Sequence, residues 1–371
     1  MNINKIYKVR DGVDLYLNNN DLLTIYFMNT RLRKQFKVSK NIIHIIELID
    51  GESTVANIHK KLEKKICDLV NIDDVIEVIL KLQKLNVLVE CKDECKDDFD
   101  LVKRYDRQIN FFGDFINGIS EGINAQRKLK ESIILIFGCG AIGGDIAIHL
   151  AMCGVENFIL YDYDVVEESD ISRHMYYKKD YLGMNKVDAL SDYLTKINKN
   201  IKVEKINDVL LPNKDISGLI DKATFVVNTA DEPYIGYTSM KISRYCTKNR
   251  KAHFIGGGFD AHLASSGELI IPGITPCVDC YAQHFKQVLE GWKPKEHPVS
   301  DRHLEIGGMS SLSLFSASYA VIEIIKYICG LIDPKEYKNT RGEFLFNTMD
   351  ITYLNVVRDE HCKVCGEIKH E

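Results

Sequence analysis

Several things are missing from this 371-residue chain. Residues 1–10 hold no long apolar segment and no cleavage site, so no secretory leader is expected. No apolar run reads as a membrane span, which needs about 18–20 residues. The stretch that stands out, 133–143, is strand-and-loop sized. Excess positive charge is absent too: 48 Lys and Arg against 53 Asp and Glu give a formal net charge of −5. That argues against a nucleic-acid partner and gives no sign of a membrane partner. There is no internal repeat and no low-complexity tract. A cytoplasmic protein is the expectation, and its 11 cysteines then read as thiols or metal ligands, not disulfides.

What is present is ordinary globular composition, 45% hydrophobic and 27% charged. The length suggests about two to three domains at roughly 100–200 residues each. Residues 1–90 open with short β-like runs at 5–9, 13–17, 22–28 and 31–38, with Asp11-Gly12 and Asn18-Asn19-Asn20 supplying turn chemistry. Helical patterns follow over 39–49, with Ser39 as N-cap, and over 54–62 and 73–85. Residues 87–90 would close a small wing. The charged stretch 91–103 reads as a solvated linker. Cys91 and Cys95 lie there at C-x3-C spacing, either exposed thiols or half of a metal site with no second pair nearby.

From 131 onward strands (132–137, 157–161, 201–203, 224–228) alternate with helices (143–153, 185–197). Such alternation predicts an α/β, Rossmann-like, mostly parallel sheet with helices on both faces. Phe137-Gly138-Cys139-Gly140-Ala141-Ile142-Gly143 is G-x-G-x-x-G between strand and helix. Gly138 permits a tight turn, Gly140 lets backbone approach phosphate, and Gly143 lets the helix pack on the strand. The helix start offers unpaired N–H groups to an anion. Asp162 ends the next strand, placed to bond a ribose hydroxyl. The obvious ligand is NAD, but a dehydrogenase has no evident use for Arg173 and Lys186 after the second strand. A triphosphate does, because cations stabilise charge developing on phosphorus.

Arg104-Tyr105-Asp106-Arg107-Gln108, Asp162, Asp164, Ser169, Arg173, Gly183 with Lys186, and Thr229-Ala230-Asp231 together resemble the ubiquitin-activating-enzyme-like superfamily of ThiF/MoeB/HesA adenylating enzymes. The resemblance runs from about residue 104 to the C-terminus. It implies that Asp162 holds the ribose, with Asp164 beside it, while Arg173 and Lys186 hold phosphates. It implies that Asp231 binds Mg2+ near the attacked α-phosphorus of ATP, and that Arg107 reaches the partner subunit's site in a homodimer with shared active sites. Asp170 and His174 depart from the family's Asn and Gln. Asp170 adds negative charge at the nucleotide site unless Mg2+ or Arg173 offsets it.

Cys277-Val278-Asp279-Cys280 and Cys362-Lys363-Val364-Cys365 are two C-x2-C pairs, and four thiolates make a closed tetrahedral Zn2+ site. Redox activity is the alternative, without a thioredoxin-like context to support it. Family members that pass the acyl adenylate to sulfur carry a cysteine in the segment crossing the site; residues 281–308 hold none. Cys246 and Cys329 read as packing residues. Adenylation without an enzyme thioester is the expectation.

The front region resembles the PqqD-like peptide-recognition element, a small α+β winged-helix-like fold that adds a precursor peptide as an edge strand. With the adenylating core it resembles the microcin C adenylating type. That type activates the C-terminal carboxyl of a short ribosomal peptide with ATP, and can continue to a peptide–nucleotide phosphoramidate. The expected organisation is 1–90 peptide recognition, 91–103 linker and 104–371 adenylating domain. Adenylation of a ubiquitin-like sulfur carrier and a non-catalytic docking role beside a cyclodehydratase are the alternatives.

Overall fold

The computed structural model describes residues 2–18, 20–91, 99–116, 118–232, 234–257, 259–260, 263–292, 308–337 and 341–369. Two compact units result, Met1–Asn124 and Ala125–Glu371.

In the first unit, β1 (Tyr7–Val9), β2 (Val13–Leu17), β3 (Leu22–Phe27) and β4 (Leu32–Lys37) precede α1 (Lys40–Glu47), α2 (Val55–Ile66) and α3 (Ile72–Lys84). Strands β2, β3 and β4 form an antiparallel sheet in that order. Alternation in β3 buries Leu23 and Ile25, while β4 is an edge strand with exposed Leu32 and Phe36. Helical spacing buries Val55, Ile58 and Leu62 of α2 against Val75, Ile79 and Leu82 of α3. Thr54 caps α2 by accepting from Asn57 N at 3.2 Å, whereas Ser39 occupies the N-cap of α1 without a side-chain bond. The expected wing strand is β5 (Leu88–Glu90), which pairs with β1.

Next comes α4 (Phe99–Phe115), a helix that begins inside the stretch expected to be linker. Its charged outer face hides the period that buries Ile109 and Phe112. Residues 92–98, with Cys95, lie outside the described residues; Cys91 is half-buried. Helix α5 (Ile119–Glu131) follows.

The second unit is built on β6 (Ile133–Phe137), α6 (Ala141–Met152), β7 (Asn157–Tyr161), α7 (Lys186–Ile197), β8 (Lys202–Ile206), α8 (Ser217–Lys222), β9 (Phe225–Asn228), α9 (Ile235–Lys248) and β10 (His253–Ile255). After these come β11 (Phe259–Asp260), β12 (Leu263–Ser265), β13 (Glu268–Ile270), α10 (Val278–Val288), α11 (Ser310–Cys329), β14 (Gly342–Leu345) and β15 (Asp350–Tyr353). The main sheet runs β13-β10-β9-β6-β7-β8, parallel except at β13. Residues 134–137 of β6 are fully buried, as a strand covered on both faces requires. The chain leaves β6 toward β7 and β8, then returns to its other side with β9. That reversal opens a crevice at the strands' C-terminal ends. A smaller antiparallel sheet orders β11-β12-β14-β15.

The 20-residue α11 corrects the sequence reading on one point: by length and composition it could cross a membrane. Its interspersed serines mask the apolar run. Half of it is buried here, packed against α6, β12 and β13 as a core helix.

Candidate active site

The crevice is a cavity of about 800 Å³. Gly138, Gly140, Gly143, Asp162, Asp164, Arg173, Lys186 and Asp231, all singled out from the sequence, line it together.

The three glycines differ in what forces them. Gly138 has φ +85°, and a Cβ there would lie 2.7 Å from Ala230 N. A Cβ on Gly143 would lie 1.9 Å from the carbonyl oxygen of Gly138, so helix and loop cannot pack as they do with any side chain there. At Gly140 nothing lies within 4 Å. A side chain there would project into open space beside the start of α6, where backbone N–H groups suit phosphate. Thr229 donates from Oγ1 to the carbonyl oxygens of Phe137 (3.0 Å) and Gly138 (2.8 Å), holding the loop to the end of β9.

Asp162 accepts from Cys139 N at 2.5 Å and from Asp164 N at 2.8 Å. Burial raises its pKa, opposed by those two N–H groups and by Lys186. Lys186 donates to Asp164 Oδ2 at 3.0 Å and is 12% exposed. Burial alone would lower its pKa; the Asp164 hydrogen bond and the charges of Asp162, Asp164 and Asp170 more than reverse this. Lys186 therefore stays cationic.

Asp170 does not line the cavity. Its Oδ2 accepts from Glu167 N at 3.0 Å, and its Oδ1 lies 3.2 Å from Arg173 Nη2 and 3.4 Å from His174 Nε2. The carboxylate that departs from the family pattern is thus turned into its own short helical turn (Glu168–Ser172). His174, missed as a site residue, does line the cavity. Its buried Nδ1 has no hydrogen-bond partner among the described residues, and its ring stacks on Tyr176, whose hydroxyl donates to Cys139 O at 2.6 Å. Burial lowers the His174 pKa to about 4, against the opposing charge of Asp170, so the ring is neutral at pH 7.

Beyond Asp231 the cavity continues past Tyr281 and Phe285 of α10 to Glu268 and Arg341. Glu268 is buried and pairs with Arg341, whose guanidinium lies 4.8 Å from the Phe285 ring centre. These residues are far apart in sequence, and no local motif marks them. Among the described lining residues, three are cationic (Arg173, Lys186, Arg341) and seven are acidic. The Asp231 carboxylate has no hydrogen-bond partner among the described residues, and such hard oxygens beside open space suit Mg2+. Arg107 is carried on α4 in the first unit, with its side chain exposed.

Cys277, Cys280, Cys362 and Cys365 converge with Sγ–Sγ distances of 3.8, 3.7 and 3.5 Å for the pairs 277–280, 277–362 and 280–365. A tetrahedron with Zn–S bonds of about 2.3 Å has edges of about 3.8 Å, so the four thiolates fit zinc. Cys277 is the N-cap of α10 and Cys280 lies in its first turn. The cluster therefore fixes the helix that presents Val278, Tyr281 and Phe285 to the cavity. Cys246 and Cys329 are buried on α9 and α11, which pushes each thiol up to about 12.

A model of the ThiF family matches residues 105–365. The chain belongs to the ThiF family. It is an ATP-dependent adenylyltransferase of that family, with the ThiF/MoeB-type core. It is 29% identical to the vegetative HesA protein of Trichormus variabilis over 272 residues, 71% of this chain and 89% of that one. To the molybdopterin-synthase adenylyltransferase of Escherichia coli it is 26% identical over 267 residues, 71% and 96% of the two chains. The fold is that of E. coli MccB: a structure of MccB with succinimide superposes with a TM-score of 0.71 at 20% identity, over 97% of this chain and 99% of that one. MccB has also been crystallised with AMPCPP and MccA.

Proposed function

We propose that this adenylyltransferase activates the C-terminal carboxylate of a short ribosomally made precursor peptide, in biosynthesis of a microcin C-like natural product. The observation that carries the reading is the front unit. The MccB fold match extends over 97% of the chain and so includes that unit, whereas the HesA match covers 71%. Within it β4 offers an exposed edge bearing Leu32, Phe36 and the cations Arg33, Lys34 and Lys37. Such an edge can take an extended peptide through main-chain hydrogen bonds. Residues 1–90 are on this reading the peptide-recognition domain.

In the reaction, Asp162 orients the ribose and braces the glycine loop. Arg173 and Lys186 hold phosphate oxygens, with Asp170 acting indirectly through Arg173. The peptide carboxylate oxygen attacks the α-phosphorus, the bond to the β-phosphate oxygen breaks, and pyrophosphate leaves. Arg107 of the other subunit of a homodimer and Lys186 offset the charge that develops. Asp231 would hold Mg2+, which would neutralise further charge, and Cys277, Cys280, Cys362 and Cys365 would hold a structural zinc. With no cysteine in 281–308, the adenylate stays off the enzyme's sulfur. Onward conversion to a peptide–nucleotide phosphoramidate belongs to the same proposal.

A second reading, adenylation of a sulfur-carrier protein, draws on the match to the molybdopterin-synthase enzyme. Exchange of labelled pyrophosphate into ATP separates them. The expected result is exchange with a short synthetic peptide ending in Asn and none with a carrier ending in Gly-Gly. The reverse result refutes the peptide reading.

A further inference from the structure

One buried charge ties α4 into the front unit. Asp114, in the last turn of α4, pairs with Arg10, just after β1, and takes a hydrogen bond from Asn29 Nδ2 in the turn between β3 and β4. The Arg10 and Asp114 side chains are only 10% and 11% exposed. Arg10 is itself held by its backbone, its N donating to Val87 O at 2.8 Å and its carbonyl oxygen accepting from Val13 N at 3.1 Å. Strand ends and a turn of the front sheets thus converge on one carboxylate. On its other side α4 has no slack. A Cβ on Gly122 of α5 would lie 2.3 Å from Ile109 O, and one on Gly113 would lie 2.9 Å from Gly118 C. Exposed surface pairs fix little, but a buried pair cannot be half-removed without stranding a charge.

Arg107 sits about two helical turns before Asp114. Its stretch of α4 starts anew after Tyr105, whose φ −120° and ψ 24° break the helix. From there to Phe115 the helix is continuous, so wherever Asp114 is held, Arg107 is held with it.

We infer that Arg10 and Asn29, acting through Asp114, are positioning residues for Arg107, and that the front unit belongs to the adenylating apparatus as well as to peptide docking. The catalytic half of this inference rests on the proposed role of Arg107; the mechanical half does not. Deleting residues 1–90 removes Arg10 and Asn29 from Asp114, so lost turnover in that truncation cannot by itself demonstrate docking.

The test uses the full chain. In Asp114→Ala, amides of 106–113 should exchange about tenfold faster while those of β6 keep their wild-type rates. With ATP and a short synthetic peptide ending in Asn, kcat for pyrophosphate exchange should fall about tenfold or more, with both KM values within about twofold. Arg10→Lys, which keeps the charge, should recover most of the rate. Asn29→Ala, a mild change at an exposed residue, should show the same pattern more weakly if Asp114→Ala does not fold. Wild-type amide exchange over 106–113 in a folded Asp114→Ala or Asn29→Ala protein overturns the mechanical link. A wild-type kcat in those variants overturns the positioning role. A wild-type enzyme inactive with the peptide refutes the peptide reading instead, and the amide-exchange result still decides the link.

Discussion

His174→Gln tests an acid weakness built into the wall of the cavity. His174 is buried and its pKa is lowered to about 4 from 6.5. A base whose folded pKa is depressed binds its proton more readily in the unfolded chain. Unfolding then takes up protons, and stability falls as pH drops from about 6.5 toward 4. The full shift of about 2.5 units corresponds to roughly 3 kcal/mol, of which about 2 kcal/mol is lost between pH 7 and pH 5. Other buried groups titrate as well. His253, also near 4, adds to the acid loss, while Asp145, raised by burial to about 7, opposes it. Both are common to the two proteins, so the difference between them reads His174 together with its partner Asp170, 3.4 Å away. Gln is similar in size and restores the residue of the family pattern. Urea unfolding at pH 7 and pH 5, followed by circular dichroism, should show the wild type losing about 2 kcal/mol more than His174→Gln. Equal losses would mean that His174 titrates normally, and with it would go the neutral, buried imidazole at the cavity wall.

Two glycine substitutions should part ways. Gly143→Ala forces a Cβ onto backbone and should cost about 1–3 kcal/mol or more in stability, whereas Gly140→Ala should melt like wild type but raise KM for ATP. Equal melting temperatures for both would contradict the loop geometry. Purified protein should carry about one zinc per chain, and Cys362→Ser should lose the metal and destabilise the second unit; metal analysis and thermal melts check both. Arg107→Ala and Asp231→Ala should each be nearly inactive, and co-refolding the two should return roughly a quarter of wild-type turnover if sites are shared across a dimer. No recovery would place Arg107 in its own chain's site.

The sequence made the alternating core legible because each element there carries its own period. Strands β2 and β7 fall on 13–17 and 157–161 as expected, and α7 begins beside Asn185. The glycine loop and cysteine pairs were legible for a similar reason, since their spacing is local. What escaped was long-range. The small sheet pairs Leu263 with Leu345, a register that no local pattern encodes. Glu268 and Arg341 meet across a similarly long stretch of chain, so the far half of the cavity had no signature. The α4 helix was hidden by its charged face, and α11 by its serines.

The charge of the cavity bears on where the remaining parts of the site come from. Lys186 is already paired with Asp164, Arg173 with Asp170, and Arg341 with Glu268. His174 is neutral and adds no positive charge at pH 7. Asp170, where the resemblance leads one to expect Asn, is therefore balanced by Arg173, at the expense of charge that Arg173 could otherwise present to phosphate. With three cationic against seven acidic side chains among the described lining residues, a triphosphate entering this crevice meets a field of its own sign. Binding then requires positive charge that these residues do not supply. Under the proposed function a divalent cation on Asp231 would be one source and the backbone N–H groups at the start of α6 a second. On the proposed function Arg107 would be a third, and the inferred hold of Arg10 and Asn29 on Asp114 would then bear on the electrostatics of nucleotide binding as well as on peptide docking.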